Sequence, residues 1–218
     1  MTRCDNYLVT NIETKDDFVD SPTRSFAWSS IVFGLLGWFA AFSLTLERLH
    51  VAADPNATLS CDMNIFISCK SVMLTEQARL FGFPNPLLGL AGFVAPIAVG
   101  VAVLAGGRFK AWFWRVYLIG LSMGFIFVLW LFTQSTYVIH VLCPYCMVAW
   151  AAMIPLFWQL LAHGAREGYL PVPLNTVGFF VRAYDYAWLV ALVNLLIIAI
   201  TILIHFWNLW LQFFGIAA

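Results

Sequence analysis

Four of the five cysteines in this sequence form two closely spaced pairs. One pair is Cys61 and Cys69, and the other is Cys143 and Cys146 in a Cys-Pro-Tyr-Cys motif. A C-x-x-C motif brings two sulfurs within reach of one disulfide bond, and a thiolate from another pair can attack that bond through a mixed disulfide. The two pairs therefore predict the transfer of two electrons from one pair, as a dithiol, to the other pair, as a disulfide.

Pro144 favours a helix that begins directly after Cys143, because proline is common at the first position of a helix. Cys143 then occupies the N-cap position, where the partial positive charge of the helix N-terminus favours the thiolate. Cys146 follows three positions later on the same helix face and lies one turn deeper. The motif thus predicts a nucleophilic thiol at a helix N-terminus, with a second thiol one turn further into the helix.

Taken alone, the cysteines also fit a structural disulfide or a metal site. Cys61 and Cys69 can form a structural disulfide within a loop, and all four thiols together can supply a tetrahedral zinc site. A disulfide across a C-x-x-C motif closes a very short loop and stabilises little, because the entropic gain grows with loop length. We therefore predict redox chemistry and no bound metal.

The composition indicates that the cysteines are positioned by a membrane protein. Of the 218 residues, 62% are hydrophobic and 10% are charged, whereas globular proteins average about 25% charged residues. Lipid is the expected solvent for such a chain. A formal net charge of zero gives no electrostatic reason for nucleic-acid binding.

Five apolar stretches are long enough to cross a bilayer core, which takes about 20 helical residues. They comprise residues 26–46, 86–105, 112–133, 143–162 and 186–207. The predicted fold class is therefore an all-α integral membrane protein. Residues 1–24 are predicted to be a tail, and 47–85 a polar loop that opens with Glu47 and Arg48 at the outer end of the first helix. Residues 166–218 are predicted to form a connection and the fifth transmembrane helix.

The distribution of Lys and Arg orients these helices. If the N-terminus is cytoplasmic, eight basic residues lie inside (Arg3, Lys15, Arg24, Arg108, Lys110, Arg115, Arg166, Arg182) and three lie outside (Arg48, Lys70, Arg79). This arrangement obeys the positive-inside rule. Both cysteine pairs then face the extracytoplasmic side, where disulfides persist, whereas Cys4 lies inside, where thiols stay reduced. We expect a multi-pass protein of the cell membrane.

Three motifs, in this order, resemble the vitamin K epoxide reductase family and its bacterial members in particular. They are Cys61-Asp62 followed by Cys69, the segment Phe81-Gly82-Phe83-Pro84-Asn85-Pro86-Leu87-Leu88-Gly89, and the Cys-Pro-Tyr-Cys motif. The resemblance implies that residues 25–165 form a four-helix catalytic bundle around a quinone, either menaquinone or ubiquinone, with the fifth helix outside it.

The resemblance also implies an electron path. Cys61 is expected to exchange electrons with a thioredoxin-like, DsbA-type protein, and Cys69 to pass them to Cys143. Cys146 is expected to face the quinone ring. Some bacterial members carry a fused thioredoxin-like domain after the fifth helix, but this chain ends soon after Trp207. We therefore expect the partner to act in trans.

Three residues are expected to contact the quinone. Asn85 matches a family position that hydrogen-bonds a quinone carbonyl, although an asparagine before a proline is also a good helix N-cap. Leu88 lies on the same segment. Trp150 occupies the position where animal members carry a ring-contacting tyrosine. This departure weakens the expectation of the alternative activity, reduction of vitamin K epoxide, while Trp150 remains able to pack against a ring.

Overall fold

The computed structural model describes residues 22–56, 58–63, 66–167 and 186–207. Within these residues, five helices are long and apolar enough to cross a membrane, which confirms the predicted fold class. They are α1 (Arg24–Ala53), α3 (Pro86–Leu104), α4 (Ala111–Gln134), α5 (Pro144–Arg166) and α6 (Ala187–His205). A short helix, α2 (Cys69–Met73), and a 3-10 turn (Glu76–Arg79) connect α1 to α3, and a π-helical turn (Ser135–Ile139) extends α4. Cys4, most of the predicted tail and much of the connection before α6 lie outside the described residues.

Helix α1 is longer than predicted. The sequence places its end at Leu46, but the helix continues to Ala53 and takes in Glu47 and Arg48. Charged residues do not stop a helix, whereas a proline restricts the residue before it to extended conformations. Asp54, which precedes Pro55, is extended, with φ −136° and ψ 104°. At 1.5 Å per residue the helix is about 45 Å long, so its last turns extend past a bilayer core of about 30 Å.

Helix α5 occupies the centre of the bundle and packs against α1, α4 and α6, while α3 packs against the other face of α1. Small residues permit the close approach of α1 and α3. A Cβ atom on Gly37 would lie 2.3 Å from the Phe93 ring, and one on Gly100 would lie 2.7 Å from the Ala27 carbonyl oxygen. Helices α3 and α4 make little direct contact with each other. This leaves a space between them that runs along the bundle.

Candidate functional site: two cysteine pairs above a lipid-sized cavity

A short backbone bridge aligns the two cysteine segments. Ile67 and Leu142 form an isolated parallel bridge. The Ser68 N–H donates to the Leu142 carbonyl oxygen at 3.0 Å, and the Leu142 N–H donates to the Phe66 carbonyl oxygen at 2.8 Å. Because Cys69 and Cys143 directly follow the bridged segments, this pairing brings the two cysteines side by side.

The four cysteines lie together at one end of the bundle, which we call the cysteine end. Cys61 and Cys69 form a disulfide, with their Cα atoms 5.7 Å apart, and Cys143 and Cys146 are free thiols. The Sγ atom of Cys143 lies 3.3 Å from the Sγ atom of Cys69. Only a short movement therefore separates these two sulfurs from a bond between them. Both side chains are buried, Cys143 at 1% exposure.

Asp62 connects the two ends of the loop between Cys61 and Cys69. Its carboxylate accepts a hydrogen bond from the Ser68 hydroxyl at 2.8 Å and another from the Lys70 N–H at 3.2 Å. These donors flank Cys69, whereas Asp62 itself directly follows Cys61. The carboxylate therefore fixes the loop at the disulfide.

Cys143 is the N-cap of α5 and Pro144 is in its first turn, as the sequence predicts. A hydrogen bond with the Cys146 thiol lowers the pKa of Cys143 below its ordinary value, and the backbone N–H groups of Cys146 and Tyr145 act in the same direction. Burial and the charge of Asp62 oppose this shift without reversing it. The lowered pKa favours the thiolate at the sulfur that faces Cys69.

A cavity of about 770 Å³ fills the space between α3 and α4, with α1 and α5 behind it. Its lining is almost entirely apolar and follows α3 from Pro86 to Ala102, a rise of about 24 Å. Cys146 forms part of the wall at the cysteine end, and Phe109 and Phe113 line the other end. The cavity thus joins a thiol to a long apolar groove.

The three predicted quinone contacts, Asn85, Leu88 and Trp150, all line this cavity together with Cys146. Trp150 is buried, and its ring meets Phe132 edge to face, with the centroids 5.5 Å apart. The structure therefore brings these residues together beside one of the two free thiols.

Asn85 is the N-cap residue of α3, as the alternative has it, but its side chain makes no capping hydrogen bond. Its amide nitrogen instead donates to the Gln77 carbonyl oxygen at 2.6 Å, and its amide oxygen accepts from the Leu80 N–H at 3.3 Å. Its backbone is α-helical, with φ −55° and ψ −31°, whereas an N-cap residue is typically extended. An amide nitrogen carries two hydrogens, and Gln77 takes one, so Asn85 keeps a donor for a ligand carbonyl.

Sequence reasoning missed the residues that give the cavity its width. Gly92 and Gly120 line it, and a Cβ atom on either would meet no atom within 4 Å. The available signal was the spacing of small residues along α3, since Gly89, Gly92 and Ala95 recur every three positions. That spacing is equally typical of tight helix packing, which small residues also serve on α1.

A buried thiol within exchange distance of a buried disulfide, in a bundle of apolar helices long enough to cross a membrane, is typical of membrane thiol–disulfide oxidoreductases. The chain matches the model of the Vitamin K epoxide reductase family over residues 28–161 and belongs to that family. No curated protein matches the chain. Among the described residues, no three His, Cys, Asp or Glu side chains come together as a metal site requires.

Proposed function

We propose that this protein is a quinone-dependent oxidoreductase that reoxidises a thioredoxin-like, DsbA-type protein during disulfide formation. One observation carries the proposal: Cys143 lies 3.3 Å from Cys69, while Cys146, its partner in the motif, borders the apolar cavity. The motif therefore links a loop disulfide on one side with a lipid-accessible space on the other. This is the arrangement that a relay from protein thiols to a membrane-soluble acceptor needs.

The proposed relay has three steps, and electrons and protons balance in each. The partner dithiol reduces the Cys61–Cys69 disulfide and leaves as a disulfide. The Cys69 thiolate attacks the oxidised Cys143–Cys146 pair at Cys143 and releases Cys146, and Cys61 then resolves the Cys69–Cys143 bond. The Cys143–Cys146 dithiol finally loses two electrons and two protons and becomes a disulfide again. Each cycle converts one partner dithiol to a disulfide and one quinone to a quinol.

The cavity residues fit a long-chain quinone. Cys146, Asn85 and Trp150 would hold the ring, with Asn85 as a donor to a carbonyl, and the groove along α3 would hold an isoprenoid chain. When bound, the quinone accepts the two electrons that the protein thiols cannot keep. Menaquinone and ubiquinone share this shape, and we propose either as the acceptor.

The charge distribution supports an extracytoplasmic site. With the N-terminus in the cytoplasm, the cysteine end faces the compartment in which disulfides are made. We therefore propose that the thioredoxin-like partner acts on the extracytoplasmic side of the membrane. Lipid surrounds the bundle.

Purified protein in detergent, mixed with quinone and a reduced DsbA-type protein, should form quinol at the rate at which partner thiols are lost. In Cys146→Ser the final step has no second thiol, so quinol formation should stop. The Cys143 thiolate should then attack the Cys61–Cys69 bond, forming a Cys69–Cys143 disulfide and releasing the Cys61 thiolate. Mass spectrometry of a non-reducing digest would detect this bond.

Cys4→Ser is the matched control, because the fifth cysteine belongs to neither pair. It should retain full quinol formation. Quinol formation that survives replacement of all four paired cysteines would contradict the relay. Supply of vitamin K epoxide in place of the quinone tests the alternative acceptor in the same assay.

A further inference from the structure

The loop disulfide is covered, although a partner protein must reach it. Cys61 is only 4% exposed, and its side chain packs in a cluster with Leu44, Leu59 and Met73. A thiolate from another protein must approach the Cys61 sulfur directly, because exchange depends on access to the attacked atom. The segment that carries Cys61, residues 59–61, must therefore move before exchange begins.

Glu47 holds this segment. One carboxylate oxygen, Oε1, accepts hydrogen bonds from the Ser60 N–H at 3.3 Å and from the Ser60 hydroxyl. The Glu47 side chain is 12% exposed. Hydrogen bonds to an ionised acceptor are about twice as strong as those between neutral groups. Glu47 therefore secures the residue next to Cys61 by two bonds.

The same contact reaches the second cysteine pair. The Ser60 Oγ atom lies 3.4 Å from the hydroxyl oxygen of Tyr145, within the Cys-Pro-Tyr-Cys motif. Ser60 has one hydroxyl hydrogen, which it gives to Glu47, so Tyr145 acts as the donor to Ser60. Glu47, Ser60 and Tyr145 thus form a chain of hydrogen bonds from α1 across the loop to α5.

Arg48 holds the other half of the loop. Its Nη1 atom donates to the Met73 carbonyl oxygen at 2.9 Å, and Met73 ends the helix that begins at Cys69. Cys69 must stay near Cys143 for internal exchange, whereas Cys61 must become accessible. Two adjacent residues of α1 therefore control two halves of the loop that have different tasks.

We propose that Glu47 is a positioning residue that holds segment 59–61 in the conformation that buries Cys61, and so sets how often an external thiolate reaches the Cys61–Cys69 disulfide. The proposal rests on the proposed function, because that function requires such an attack. Glu47 takes no part in the exchange itself and acts through Ser60.

The experiment measures the rate at which a water-soluble phosphine reduces the Cys61–Cys69 disulfide. The background is the double variant Cys143→Ser with Cys146→Ser, in which Cys61 and Cys69 are the one cysteine pair that remains. In this background Glu47→Leu should accelerate reduction by about tenfold or more, as expected for the loss of hydrogen bonds to a charged group.

Ser60→Ala, which keeps the N–H bond, should give a smaller increase. Glu47→Gln, which keeps an acceptor oxygen, should lie between Glu47→Leu and the unmodified background.

Glu76→Gln is the matched control, since Glu76 is an exposed acid on the same loop that pairs with Arg79 and not with residues 59–61. Its reduction rate should equal that of the background. A second control, with all native cysteines present, tests whether Glu47→Leu disturbs the rest of the site. After full reduction, electron transfer from Cys143 and Cys146 to quinone should be as fast in Glu47→Leu as in the unmodified protein.

A reduction rate in Glu47→Leu within about twofold of the Glu76→Gln rate would overturn the proposal, and so would slowed electron transfer to quinone. If Glu47→Leu does not fold, equal rates for Glu47→Gln, Ser60→Ala and Glu76→Gln overturn it in the same way. A protein that never forms quinol would refute the proposed function instead, because the phosphine assay needs neither quinone nor partner.

Discussion

The cysteine end and the cavity differ in how much they constrain the groups that lie in them. At the cysteine end, backbone and side-chain hydrogen bonds hold several of the described loop residues, through the Ile67–Leu142 bridge, Asp62 and Glu47. The cavity offers a long apolar wall with few polar groups, and Asn85 is one of them. Thiol exchange requires sulfurs in fixed positions, whereas a lipid tail needs volume and little orientation. One bundle meets both needs because α3 and α4 stay apart below a tightly bonded loop.

The largest effect is expected from a substitution that disables the cysteine end and leaves the cavity unchanged. Cys143→Ser removes the thiol between the loop disulfide and Cys146, so quinol formation should fall at least about a thousandfold, as when an enzyme loses its nucleophile. Quinone binding, followed by quenching of tryptophan fluorescence, should not change. Lost binding in this variant would show that the two regions are not separate.

A smaller effect is expected from filling the cavity away from the cysteines. Ala98 lines the cavity about 20 Å along α3 from Asn85. Ala98→Phe should raise KM for a long-chain quinone about tenfold and leave turnover of a short-chain quinone unchanged, because only the long chain reaches this depth.

Val101→Phe is the control for that substitution. Val101 is on the same helix, 53% exposed, and does not line the cavity. Its KM for both quinones should match that of the unmodified protein. Equal effects of Ala98→Phe on both chain lengths would contradict a tail in this groove.

The smallest effect concerns the pKa of Cys143. The Cys146 thiol is the main cause of its lowered pKa, so Cys146→Ala should raise it, and Cys146→Ser should raise it less because a hydroxyl still donates. A lowered pKa keeps the thiolate present at lower pH, so in Cys146→Ala the thiolate should appear only at higher pH. Thiolate ultraviolet absorbance against pH measures this shift. A downward shift in Cys146→Ala would contradict the assigned cause.

Local patterns account for much of what the sequence predicts. Long apolar stretches define the five helices, and Pro144 places Cys143 at a helix start, because both features depend on neighbouring residues alone. Glu47 and Arg48 show where such reasoning stops. Their charges suggest a helix end, but the helix continues, and their partners Ser60 and Met73 are distant in sequence.

The cavity is missed for a related reason. Its existence depends on two helices that do not pack together, and the small residues of α3 have no pattern that separates a cavity wall from a helix contact. The resemblance predicts that Asn85 contacts the quinone, whereas its bonds to Gln77 and Leu80 depend on the turn before α3. Contacts between distant segments decide these features.

Electron delivery from the Cys143–Cys146 pair to quinone can be isolated in a single turnover. Cys61→Ala with Cys69→Ala leaves only that pair, which is reduced and then mixed with quinone in the absence of any partner. The relay predicts one quinol for each Cys143–Cys146 disulfide formed, with both species appearing at the same rate. Free thiols that persist at Cys143 and Cys146 in the presence of excess quinone would contradict it.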